Sequence, residues 1–243
     1  MYFCGKTFFI LIKIRIIFLF QQFCRIVCTF ACPVLVPLKR LCYSQNRWKG
    51  KRKKDPFRKG DGMDFEALQQ IRESCRIYSD KKVKRELLIH LVEIARLSPS
   101  ACNSQAWHFI IVDEEEALEK MRDGLDDHGL TGCPWKENVP AFILLCEEKA
   151  HLREAVEEKY GSQHFAQMDI GMAAVTLCYG AADMGLGTCM IGVLNQQKLK
   201  EAFHVPPECT VRLAIAVGYP QKVGKPREKR RKEMEKIVGY NHW

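Results

Sequence analysis

The stretch "HFAQMDIGMAAVTLCYGAADMGLG", residues 164–187, limits the possible folds more than any other. It reads as one long helix that is apolar nearly all round, and such a helix is buried on several sides. It is rich in Ala and Gly, and such small residues let another backbone come close. The rest of the chain must therefore supply layers around it. "MDFEALQQIRESC" predicts a helix over 63–75, with Phe65, Leu68 and Ile71 on one stripe, and "KRELLIHLVEIARL" a second over 84–97, closed soon after by Pro99. "WHFIIV" (107–112) reads as a strand and "AFILLC" (141–146) as a buried strand. "EEEALEKMRDGL" reads as an exposed helix, "QQKLKEAF" as a helix, "VRLAIAVGYP" as a strand, and residues 228–237 as a charged closing helix. Strands alternate with helices and nothing repeats, so the class is a layered α/β or α+β domain.

The first quarter does not belong to that pattern. Residues 1–62 carry 14 Lys or Arg against Asp55 and Asp61, whereas residues 63–243 carry 24 against 27 acidic residues. The formal net charge of +9 thus arises entirely upstream and argues for no nucleic-acid partner of the domain. "FFILIKIRIIFLF" is broken by Lys13 and Arg15, short of the roughly 20 apolar residues that span a bilayer. It also fits no signal peptide. Cys24, Cys28 and Cys32 lack the C-x2-C pairing of metal sites, and no metal site is expected anywhere in the chain. We expect a boundary at Met63, with 1–62 an extension outside the functional protein. "RKG" before it can be encoded by a purine run like a bacterial ribosome-binding site, so translation is expected to begin at Met63. The rival is a basic membrane anchor.

The domain has no Walker loop, H-E-x-x-H or G-x-S-x-G elbow. "GLGTCMIG" (185–192) does not leave a strand to open a helix, as a dinucleotide loop does, and reads equally as a glycine helix cap. The polar run "SPSACNSQAWHF" (98–109) asks for hydrogen-bond partners that a plain turn would not need. Arg72 and Arg76 lie four apart on one helical face, with Ser74 between, and answer either an anion or the helix dipole.

Four motifs in order, "IRESCRIY", "SPSACNSQAWHF", "DIGMAAVTLCYGAADMGLGTCMIG" and "AIAVGYPQKVGKPR", resemble the FMN-dependent nitroreductase family over essentially all of 63–243. The resemblance implies an α+β fold around an antiparallel sheet, an interlocked homodimer, and FMN at the subunit interface. It implies that Arg72, Ser74 and Arg76 hold the phosphate and ribityl end, with Arg227 and Lys225 adding charge. Pro99, Ser100, Ala101, Asn103 and Gln105 would reach the partner's flavin, and Met190, Ile191 and Gly192 would lie against the ring with a backbone N–H near N5. Glu73 stands where the family more often has Arg or His, and points elsewhere or weakens the phosphate site. Trp107 and Phe109 are expected to be core anchors, His108 an outward strand residue, and Asp169 a capping or packing group.

The implied activity is hydride transfer from NAD(P)H through flavin N5 to nitroaromatic, quinone or similar acceptors. The cofactor carries the chemistry, so no catalytic side chain is needed. Same-fold dehalogenase or azoline oxidase chemistry is the alternative, as is a nonenzymatic membrane-tethered adaptor; residues 113–163 look short for an elaborate substrate lid. Seven cysteines in the domain, without any paired spacing, point to a reducing compartment and so to the cytoplasm.

Overall fold

The computed structural model describes residues 65–125, 133–222, 224 and 226–243. The expected boundary at Met63 and the basic segment 1–62 lie outside the described residues, as does Lys225. Four strands, β1 (Trp107–Val112), β2 (Ala141–Glu147), β3 (Gly187–Ile191) and β4 (Thr210–Gly218), form a sheet in the order β1-β2-β4-β3. Every neighbouring pair is antiparallel. All seven residues of β2 are buried, because alternate side chains enter two separate cores. Phe142, Leu144 and Cys146 join Leu118, Met121 and Leu199 on one face. Ile143 and Leu145 join Leu88, Leu91 and Leu177 on the other. Trp107 is buried and Phe109 packs beside it, as expected of core anchors, while His108 points out.

The helices are α1 (Phe65–Ile71), α2 (Arg85–Ala95), α3 (Glu115–Gly124), α4 (Glu154–Tyr160), α5 (Gln163–Asp183) and α6 (Gln196–Phe203). The long helix α5 lays Ala173, Ala174, Leu177 and Ala181 on the sheet beside α2. Gly185 (φ +72°) ends it: its N–H reaches Ala182 O at 3.0 Å and Leu186 N–H reaches Ala181 O at 2.8 Å. This paired closure needs the left-handed backbone that glycine adopts without strain. "GLG" is thus a helix cap that delivers the chain into β3. No described helix is long and apolar enough to cross a membrane.

Three expectations need correction. The first helix stops at Ile71, so Arg72–Arg76 is extended and no helical face unites the arginines. Ser74 instead bridges Thr188 in parallel and Cys75 N–H donates to Thr188 O at 2.8 Å, because edge strand β3 offers backbone partners that a continued helix would leave unpaired. The closing helix shrinks to a 3-10 turn at Met234–Lys236. Its run of like charges and its exposed Met234 and Ile237 give a helix nothing to bury. Finally, α3 is not exposed all round, since Leu118 and Met121 face the core. The seven-residue α4 carried no apolar stripe to announce it.

Candidate cofactor site

The extended strand beside β3 turns the R-x-S-x-R spacing into a different device. Arg72, Ser74 and Arg76 now lie at alternate positions of a non-helical segment that bridges β3 at Ser74, with Glu73 and Cys75 between them. Gly187 makes the approach possible, because an added Cβ there would sit 2.7 Å from Cys75 Cβ. Buried Tyr78 fastens the strand by donating its hydroxyl to Cys75 O at 2.8 Å, and its own backbone bridges Pro220.

The C-terminal segment runs onto this strand. Arg227 donates to Glu73 Oε2 from its backbone N–H at 3.2 Å and from Nε at 3.0 Å, and Nη2 donates to Ser74 O at 2.9 Å. Lys229 Nζ donates to Arg72 O at 2.7 Å. Glu73 therefore does not point away: it pairs with Arg227. Burial raises its carboxyl pKa, but the hydrogen bonds and charge of Arg227, with Lys229, outweigh that and hold it below the ordinary value. Lys229 moves down, through burial first and then the charges of Arg72 and Arg231, with Glu73 offsetting only part. The cluster thus keeps an excess of positive charge even with Glu73 inside it. Such a donor set suits an anion of more than one charge, such as a phosphate monoester.

Lys229 and Arg231 escaped the sequence reading because the run was taken as helical. Lys229 lies two residues and Arg231 four residues beyond Arg227, outside any helix. Arg76 itself is exposed and stands apart, beside Cys189 and Cys133; burial pushes both of those thiols up, with the Arg76 charge opposing. Burial likewise raises the Cys75, Cys146, Cys178 and Cys209 thiols, Cys146 to about 11, so none of these is an activated nucleophile.

The polar loop is built by its own side chains. Ser98 donates to Thr176 Oγ1 at 3.0 Å, Ser100 Oγ accepts from Gln105 N–H at 3.1 Å, and Ser104 Oγ accepts from His151 N–H at 2.7 Å. Asp169, only 3% exposed, accepts the N–H of Ala101 at 3.0 Å. It lies in the second turn of α5 rather than at its head, and it holds the loop rather than capping its own helix. Cys102, Asn103 and Gln105 all have positive φ, between 51° and 56°. Three non-glycine residues so placed within four positions store strain, which clusters at ligand sites. Pro99, Asn103 and Gln105 remain exposed, and Ser100 and Ala101 partly so.

In β3, Ile191 is buried while Met190 and the following Gly192 and Val193 are open to solvent. The structure brings Arg72, Ser74 and Arg227 together and joins them through Thr188 to the strand that ends at Ile191. Among the described residues no hydrogen bond joins the 98–105 loop to them. That loop is tied instead to α5, at Asp169 and at Thr176.

The nitroreductase family model matches residues 70–219. A protein of Archaeoglobus fulgidus provisionally named NADH dehydrogenase/NAD(P)H nitroreductase is 30% identical over 162 residues, which cover 64% of this chain and 86% of that protein. A Bacillus subtilis FMN reductase [NAD(P)H] is 28% identical over 159 residues, covering 60% of this chain and 62% of that protein. An iodotyrosine deiodinase of Thermotoga neapolitana is 25% identical over 194 residues, covering 72% and 96%. A solved nitroreductase family protein of Streptococcus pneumoniae superposes with a TM-score of 0.62 at 21% identity, over 73% of this chain and 100% of that one. The matched span runs from the end of α1 to just past β4, more than half of the chain, and on that ground this chain belongs to the nitroreductase family.

Proposed function

We propose that the chain is an NAD(P)H-dependent flavin oxidoreductase that binds FMN and reduces nitroaromatic, quinone or similar electrophilic acceptors. The observation that carries this reading is the convergence of Arg72, Arg227 and Lys229 on one extended strand. Arg72 and Arg227, with the N–H and hydroxyl groups around Ser74, hold the phosphate; Lys229 adds charge, and Arg76 and Lys225 are further contacts on the same reading. Met190, Ile191 and Gly192 present backbone to the ring edge, where the bare Gly192 lets a flat ligand come close. Bound FMN supplies the hydride chemistry, accepting from the nicotinamide and giving to the acceptor. The protein's part is to bind, orient and exclude water, and no side chain is assigned a proton.

The second element of the proposal is a homodimer. Met168, Met172 and Val175 lie at spacing four and three along α5 and are 54%, 37% and 36% exposed, leaving an apolar stripe uncovered on a helix of this length. A second copy of the chain covers it. Pro99, Ser100, Ala101, Asn103 and Gln105, which make no hydrogen bond to their own arginine cluster, then serve the partner's flavin. The connection between β2 and α5 carries only the short α4, a modest cover that suits small and varied acceptors better than one elaborate substrate. The unpaired cysteines suit a reducing compartment, the cytoplasm, and residues 1–62 lie outside the enzyme domain.

The visible spectrum of the purified chain tests the reading. We expect flavin bands, FMN as the released chromophore, bleaching on addition of NAD(P)H, and a dimer by light scattering. A colourless protein that FMN does not reconstitute would overturn it. Halide release from a halotyrosine faster than nitro reduction would turn it toward the chemistry named for the Thermotoga relative.

A further inference from the structure

Arg227 meets a carboxylate of its own chain at the place the proposed function gives to phosphate. Its Nε and Nη2 form the edge of the guanidinium that best presents two parallel donors to an oxyanion. Both are committed, Nε to Glu73 Oε2 at 3.0 Å and Nη2 to Ser74 O at 2.9 Å, and the Arg227 backbone N–H points at the same Glu73 oxygen. An arriving phosphate must either displace Glu73 from that edge or bind beside its negative charge. Either course weakens phosphate binding.

We propose that Glu73 is an internal competitor for the flavin phosphate: it clasps Arg227 and the segment behind it onto the Arg72–Arg76 strand, and it yields when the phosphate binds. The proposal rests on the flavin reading above. Its consequence is an FMN that is held weakly and exchanges readily. Two features give it shape. The segment has a second fastening, Lys229 Nζ to Arg72 O at 2.7 Å, which needs no carboxylate and keeps Arg227 nearby after Glu73 lets go. The carboxylate also stays ionised in this setting, since Arg227 and Lys229 hold its pKa down against burial. The opposite role is equally concrete: Glu73 could serve only to orient Arg227 toward the phosphate, in which case its removal weakens FMN.

The isosteric variant Glu73→Gln separates the two. Titration of the flavin-free protein, followed by flavin fluorescence quenching, should show FMN affinity about tenfold tighter in the variant and riboflavin affinity unchanged, because riboflavin has no phosphate. Unchanged or weaker FMN binding, or equal shifts for both flavins, overturns the competitor role. Hydrogen exchange of residues 226–231 in the flavin-free proteins tests the clasp without any flavin: exchange should be faster in the variant, and identical exchange overturns the clasp. If neither protein binds either flavin, the flavin reading fails while the exchange comparison still decides the clasp.

Discussion

The loop at 98–105 and the C-terminal segment from Pro226 onward both bring polar groups to the proposed ligand, and they are fastened in opposite ways. The loop is fixed from below by a nearly fully buried carboxylate and by three serine hydroxyls, and it stores backbone strain. The segment lies on the surface, tied by the Arg227–Glu73 ion pair and two carbonyl contacts, with Met234, Ile237, Tyr240 and Trp243 left exposed. A rigid platform and an exchangeable strap are thus built on one sheet. The physical difference is burial: a charged hydrogen bond out of water persists, whereas one at the surface competes with solvent and with any other anion.

The largest effect should come from the base of the platform. Arg212, the extra residue where β4 slips register against Leu145 and Cys146 of β2, pairs with Glu147, which is 2% exposed and also accepts from Gln163 Nε2 at 2.6 Å. Arg212→Met strands that carboxylate and should cost about 3 kcal/mol in urea unfolding. Asp169→Ala leaves the Ala101 N–H without its acceptor and should cost about 2 kcal/mol, with faster hydrogen exchange confined to residues 99–105. A cost below a few tenths of a kcal/mol would mean the loop holds itself.

The strap should answer in affinity rather than stability. Arg72→Ala should leave the thermal midpoint of the flavin-free protein nearly unchanged and weaken FMN by about tenfold to a hundredfold, the worth of one charge-assisted contact. Wild-type affinity would reduce Arg72 to a surface charge. Cys102→Gly removes a strained φ of 51° from the platform and should stabilise the protein by about 0.5–1 kcal/mol. The smallest effect belongs to the far end of the strap: replacing Met234 and Ile237 together by Ser should shift flavin-free stability by under about 0.5 kcal/mol. A larger loss would show those residues to be packed, against a second copy or elsewhere.

Legibility from sequence followed the same division. Strand β2 stood out because a continuous apolar run announces burial on both faces, β1 and β4 by their strand-like apolar content, and α2, α5 and α6 by their period or bulk. The loop announced its need for hydrogen bonds, yet no local pattern names Asp169 as the acceptor for Ala101, 68 residues away. Lys229 and Arg231 were hidden by the choice of period, since "REKRRKEMEK" satisfies a charged helix as well as an extended strap until its partner is known. Glu73 was visible only as a departure from pattern, and its pairing with Arg227 spans 154 residues.

What the sequence determined by itself is therefore whatever depends on neighbours along the chain: the apolar strands, the long small-residue helix, the glycine that caps it, and the four motifs that place the chain in its family. The tertiary structure decided what depends on neighbours across the sheet. Ser74 could sit in a helix by local propensity, but the open edge at Thr188 offers its segment backbone hydrogen bonds, and an unpaired buried amide costs more than a weak helical preference returns. That one pairing takes the Arg72–Arg76 stretch out of the helix and so lets Arg227 meet Glu73 and the Ser74 carbonyl.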